Sequence, residues 1–370
     1  MSIKNQKPDR AVSIKGEMYN MVKNRGGYRE NQYDALRILS AIAVVIIHVN
    51  WFYFSSRYDA PDNTAEWIVE ALLNILTRFS VPCFVMISGA FNLKREVNAL
   101  DYYKKVSLKI FLPTSFIAVV CAIYRILTNI ILKRSPSYGL KSILTGDFFN
   151  LWFVYMLAIL YLATPVITLL KNRCTWNQYK LIAIIWTIWS VVSQATSTQK
   201  LAYSIGVGGA FVSYYLLGDI LSTELKNRNP NKLILILLSL ISIAISYFWR
   251  KTGHNYYISE AYTNFFSPTI VVYSICIFSL FGSMKYKKDV SRISELTFYL
   301  YLFHTLVLSI LERLLGNLLP DIPGIVVLSA GTVIISYLLS IVFDSVWKRI
   351  SKKNSLQSKW YGLKIWRLLE

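Results

Sequence analysis

The sequence predicts an all-α, polytopic membrane protein of about ten transmembrane helices with both termini in the cytosol, and three observations carry that prediction. Hydrophobic residues make up 54% of the 370 and aromatic ones 15%, against 16% charged, which is far from the balance of a water-soluble domain. Apolar stretches near 36–54, 70–93, 108–132, 148–170, 180–197, 201–221, 233–249, 261–283, 294–315 and 322–346 recur along the chain. Crossing a hydrocarbon core about 30 Å thick takes roughly 20 apolar residues of helix, so the ten stretches leave almost no room for a soluble domain. The basic residues alternate by loop: with a cytosolic N-terminus, 28 of them fall in cytosolic segments and only seven in outer loops. That bias is the positive-inside rule. It accounts for the net charge of +20 as a topology signal, so no nucleic acid is needed to explain it.

Residues 1–34 form a basic cytosolic tail, with Asp34 placed to N-cap the first helix. No cleavable signal peptide is expected before that helix, which should remain as an anchor. The ten-helix domain spans 35–346. Its fifth stretch, 180–197, makes the weakest case for spanning, because it is short and runs into the polar "SQATSTQK". The aromatic clusters at Trp51 to Phe54, Tyr102 with Tyr103, and Tyr256 with Tyr257 fall where membrane interfaces are expected. Residues 347–370 mix Trp360, Tyr361, Ile365, Trp366 and Leu368 with basic side chains, the pattern of a basic amphipathic tail on the inner leaflet. Cys83, Cys121, Cys174 and Cys276 are scattered, without metal-ligand spacing, and read as packing residues.

Charge inside a membrane helix costs about 2.5–3.5 kcal/mol on insertion scales, so the few polar groups retained there are candidates for function. They are Arg37, His48, Arg78 and His304, with Arg125 and Glu312 as further cases. Arg37 and His48 are eleven residues apart, about three turns, so they share one helix face with roughly 16 Å between them along the axis. Arg37 then lies at the cytosolic mouth and His48 near mid-membrane, which suits an elongated anion gripped at one end by a guanidinium fork. The plainer alternative has Arg37 snorkelling to headgroups and His48 bonding a neighbouring helix. His304, ten residues into a helix that also enters from the cytosol, reaches the same depth as His48 and points to a shared polar cavity. Histidine is the side chain best matched to proton transfer near neutral pH. Arg78 lies in the second helix beside Pro82 and a Ser88-Gly89 pair, and is matched equally to a helix-pairing role and to substrate. Asn150, Trp152 and Tyr155 open the fourth helix at the outer face. His254 falls in an outer loop, while Asp219 and Asp344 are expected at water-accessible helix ends with no chemical role.

Four segments in order, "YDALRILSAIAVVIIH", "RFSVPCFVMISGAF", "NLWFVYMLAILYLATP" and "LTFYLYLFH", resemble the acyltransferase-3 family of membrane O-acyltransferases that modify bacterial surface glycans. The similarity extends over about 33–346. It implies a cell-membrane enzyme with acyl-CoA as co-substrate, no resident cofactor or metal, and transfer of an acyl group, acetyl above all, to a hydroxyl of a surface polysaccharide or its lipid-linked precursor. It further implies that Arg37 and His48 are the catalytic pair, Arg37 holding CoA phosphate and His48 acting as general base or acyl carrier. Arg78, Ser88, Asn150, Trp152, Tyr155 and His304 become substrate-binding residues. Many members carry a Glu shortly after the Trp of the fourth helix, where this chain has Val154, Tyr155 and Met156. No fused outer domain is expected, so the expected acceptor is a membrane-embedded lipid-linked glycan, or a partner protein on the outer face completes transfer. A transporter of a glycan or small polar solute is the competing class, since intramembrane His and Arg also suit proton-coupled carriers.

Overall fold

The computed structural model describes residues 30–55, 64–94, 99–131, 133, 151–196, 202–252, 264–316 and 318–366. The described residues are helical, with no strand among them. In chain order the helices are α1 (Asn31–Ser55), α2 (Ala65–Thr77), α3 (Ser80–Asn92), α4 (Ala99–Val106), α5 (Leu112–Ile131), α6 (Trp152–Arg173), α7 (Trp176–Thr196) and α8 (Ala202–Asn227). They continue with α9 (Lys232–Thr252), α10 (Pro268–Gly282), α11 (Ser291–Leu315) and α12 (Asp321–Trp366). A π-helical turn, Ser107–Phe111, joins α4 to α5 just before Pro113, which has no N–H with which to continue a regular ladder.

Seven of the resulting rods are long and apolar enough to cross a membrane: Asn31–Phe52, Ala65–Asn92, Ala99–Ile131, Trp152–Arg173, Lys232–Thr252, Ser291–Leu315 and Ile322–Ile350. The other three expected spans fall on α7, α8 and α10. Of these α10 is a short apolar helix of 15 residues, and α8 mixes Asp219, Glu224 and Lys226 into its apolar run. The described residues therefore give seven spanning candidates where ten were expected. Large aliphatic side chains stay exposed along α5, α9 and α12, as at Ile131, Leu240 and Ile334. Such faces are at ease only in an apolar solvent.

The core lies where α1, α3, α8, α10 and α11 meet. Two contacts fix how α1 and α11 run: Arg37 bonds Ser294, and His48 meets His304. The partners advance by eleven residues on one helix and ten on the other, so the two helices lie side by side and parallel. Ala41, Val45 and Val49 pack against Leu300 and Leu308 along the seam, with Ile325 and Leu328 of α12 closing it. The α2–α3 rod is broken at Arg78 and Phe79. Pro82 cannot donate to the Arg78 carbonyl, and the chain instead tightens so that the Arg78 N–H reaches the Ile75 carbonyl at 3.2 Å. The Tyr273 hydroxyl donates to the Leu76 carbonyl at 3.1 Å, satisfying backbone at the break.

Three sequence expectations are corrected here. Asp34 does not cap the first helix, which already begins at Asn31; it lies buried in the first turn and accepts from Arg37 and Ser294. Asp219 and Asp344 are not water-accessible. Asp219 is fully buried, pairs with Lys171 at 2.6 Å and accepts from the Tyr179 hydroxyl at 3.1 Å, while Asp344 pairs with Arg292 and Lys348. Helix ends pack against one another instead of opening to water, and a carboxylate so enclosed requires a cation. Removing one partner of such a pair strands the other. Asp219→Ala is accordingly expected to destabilise the fold by about 3 kcal/mol, the low end for a buried pair because the Lys171 side chain keeps 21% exposure. The thermal unfolding midpoint in detergent reads this, and an unchanged midpoint would show the pair to be dispensable.

Candidate active site

Two imidazoles face each other in the middle of the bundle. His48 is seventeen residues into α1 and His304 thirteen residues into α11, and their ring centroids are 4.9 Å apart at an interplanar angle of 52°. The parallel register of the two helices produces this meeting. His304 is fully buried, whereas His48 is half-buried and keeps accessible surface. The Nδ1 of His304 bonds the backbone carbonyl of Tyr301 one turn earlier. The Nε2 atoms of both rings are buried and have no hydrogen-bond partner among the described residues. Orphaned buried polar atoms are uncommon and costly, so two of them on neighbouring rings mark a place prepared for a further hydrogen bond.

A chain of aromatic rings leads away from His304. Tyr301 lies 5.2 Å from His304 and 4.8 Å from Phe153, which in turn meets Phe84 at 6.0 Å. Arg78 sits at the α2–α3 break. Its Nε donates to Asn74 Oδ1 at 2.7 Å and its guanidinium covers the Phe265 ring at 5.3 Å. Phe265 and Phe211 flank Trp152 at 6.0 and 6.3 Å, so the start of α6 and the approach to α10 form one aromatic wall beside Arg78. Phe265 of that wall touches both Arg78 and Trp152.

Arg37 marks the other end of the site. Its guanidinium donates to Ser294 Oγ at 3.0 Å and to Asp34 Oδ1 at 3.3 Å, and it lies 5.9 Å from the Phe91 ring, whose centroid is 5.5 Å from Lys94 Nζ. Two cations thus gather around one ring at the N-terminal end of α1. Between the two ends runs a band of hydroxyls. Tyr161 donates to Ser88 Oγ at 3.4 Å, Ser88 donates to the Phe84 carbonyl at 2.9 Å, and Thr164 bonds both Tyr215 and Tyr102. Ser88 therefore joins the band, while Tyr155 lies on the outer side of α6 at 39% exposure, away from it. Asn150 and His254 lie outside the described residues. Arg125 and Glu312 are half-buried on α5 and α11.

Sequence reasoning missed an ion pair. Glu70 of α2, buried, pairs with Arg250 of α9, accepts from Asn74, and through its backbone carbonyl accepts from Asn50. Asn74 in turn holds Arg78. The signal was present as Glu70, Asn74 and Arg78 at successive spacings of four, which on a helix is one face.

A helical bundle with apolar outer faces and cationic and imidazole side chains turned inward defines a multi-pass membrane protein with an internal polar site. Residues 30–341 match the family model described as acyltransferase domain, and the chain belongs to the acyltransferase-3 family of membrane acyltransferases. Searches of curated proteins and of solved structures found no match.

Proposed function

We propose that the protein transfers an acyl group, acetyl above all, from acyl-CoA to a hydroxyl of a surface polysaccharide or its lipid-linked precursor in a bacterial cytoplasmic membrane. In this reading the ten helical stretches all span and both termini are cytosolic, so acyl-CoA enters at the N-terminal end of α1. The observation that carries the reading is the imidazole pair at 4.9 Å, with Arg37 on the same helix about 16 Å nearer that entrance by helical rise. That spacing lets a guanidinium hold the CoA phosphates while the thioester lies beside His48. His48 acts as general base on the acceptor hydroxyl. Arg78 is assigned the role of favouring the negative charge that develops on the thioester oxygen. Trp152 and Phe265 supply flat apolar faces for a sugar ring, and the acceptor is embedded in or delivered from the outer leaflet, with a partner protein receiving product where the final acceptor is beyond it.

The test is acyl transfer by the purified protein in proteoliposomes, with labelled acetyl-CoA outside and lipid-linked glycan in the bilayer. Release of CoA coupled to label in the glycan is expected. A protein that neither binds acyl-CoA nor acylates any glycan in cells would remove the reading, and solute uptake without acyl-CoA would replace it with transport.

A further inference from the structure

The two orphaned imidazole nitrogens and the one bonded nitrogen of His304 together fix which atoms carry hydrogen. A backbone carbonyl can only accept. Its bond with His304 Nδ1 therefore places the proton on Nδ1, and the Nε2 of neutral His304 is left as a bare lone pair. That lone pair is buried and requires a donor. The ring 4.9 Å away, centroid to centroid, belongs to His48, and its own Nε2 is buried and equally without a partner among the described residues. A single hydrogen bond from His48 Nε2–H to His304 Nε2 satisfies both. A centroid separation of 4.9 Å leaves room for a nitrogen-to-nitrogen hydrogen bond once the two rings turn their Nε2 atoms toward each other, and catalytic hydrogen bonds commonly tighten once substrate binds. The assignment leaves His48 with its lone pair on Nδ1, on the imidazole that retains accessible surface.

We propose that His304 is a positioning residue for His48: the relay from His48 Nε2–H through His304 to the Tyr301 carbonyl holds His48 in the tautomer whose Nδ1 is the reacting atom. The inference rests on the acyl-transfer reading and assigns the atom within it. In the transfer step the acceptor hydroxyl gives its proton to His48 Nδ1 as its oxygen bonds the thioester carbonyl carbon. The carbon–sulfur bond then breaks, and the sulfur leaves as the thiol by taking the proton back from Nδ1. His48 is briefly an imidazolium, and the lone pair of His304 stabilises it through the same bond. His304 itself neither gains nor loses a proton, and its full burial is consistent with a residue that touches no substrate.

Two substitutions separate this role from packing and from direct base catalysis. In His304→Asn the side-chain amide can still donate to the Tyr301 carbonyl, but nothing accepts from His48. In His304→Gln the amide oxygen reaches the former Nε2 position and can accept from His48. The measurement is kcat and KM for acetyl-CoA in proteoliposomes, on protein shown to be folded by gel filtration. We expect His304→Asn to lose about 10²-fold in kcat with KM unchanged, and His304→Gln to recover most of that loss. Equal and severe loss in both variants would overturn the inference in favour of His304 as the base itself. Wild-type kcat in His304→Asn would overturn it in favour of packing. Either result leaves the acyl-transfer reading standing, because that reading falls only if wild type and every variant lack transfer.

Discussion

His48→Ala is expected to abolish acyl transfer at every donor concentration, whereas Arg37→Ala is expected to recover as acyl-CoA is raised. The two residues share a helix and a face, so the difference has to come from where each meets the donor. General base catalysis contributes about 10²–10⁴-fold, and none of it can be restored by filling the site with substrate, because the loss lies in the bound complex. A charged hydrogen bond to phosphate contributes about 1.5–3 kcal/mol, which at 1.4 kcal/mol per factor of ten is a roughly 10- to 100-fold rise in KM. Arg37 also holds Asp34 and Ser294, so its removal leaves a buried carboxylate with one fewer donor. Arg37→Lys separates the two effects: it keeps the charge beside Asp34 and loses the planar fork that fits phosphate. Its KM should lie between wild type and Arg37→Ala, with kcat near wild type. Loss of kcat in Arg37→Ala that saturating donor cannot repair would move Arg37 from binding into the chemistry.

Much of this site was legible in the sequence because it violates the sequence's own rule. In an apolar helix an Arg or His stands out, and a spacing of eleven residues is enough to put Arg37 and His48 on one face. The equal depth of His48 and His304 follows from counting along two helices that enter from one side, and the rings do meet. What could not be read was which helices touch. The Glu70–Arg250 pair joins α2 to α9, and Lys171–Asp219 joins α6 to α8; no local pattern says that those partners are neighbours. Asp34 illustrates the same limit. Its position before an apolar run suggests a cap, and only the packing of α11 against α1 turns it into the acceptor that orients Arg37. The break at Arg78 lies between these cases, since Pro82 announces a kink but not its tightening into the turn that carries the guanidinium.

Glycine gives the sharpest instance, and the second large effect expected of this fold. An exposed helical glycine changed to alanine should gain about 1 kcal/mol from backbone propensity. Gly218→Ala and Gly89→Ala are expected to do the reverse and prevent assembly of the bundle. A Cβ on Gly218 would lie 1.9 Å from the Met86 carbonyl oxygen, and one on Gly89 would lie 1.9 Å from that of Tyr215. In both cases the obstacle is backbone of the facing helix, which cannot turn aside like a side chain. The helices α3 and α8 would have to separate along the whole seam, at a cost beyond the roughly 1–3 kcal/mol of ordinary overpacking. Separation would also carry Tyr215 from Thr164 and Ser88 from Tyr161, so any protein that still folded would have lost the hydroxyl band between Arg37 and the imidazole pair. Gly209, on the same helix α8, has nothing within 4 Å of where its Cβ would be, so Gly209→Ala should be tolerated. The measurement is the folded, monodisperse yield of the three variants by fluorescence-detected gel filtration. Gly218→Ala and Gly89→Ala recovered at the level of Gly209→Ala would mean that α3 and α8 do not interlock, and the Ser-Gly pair of the second apolar stretch would then need an explanation in substrate contact instead of packing.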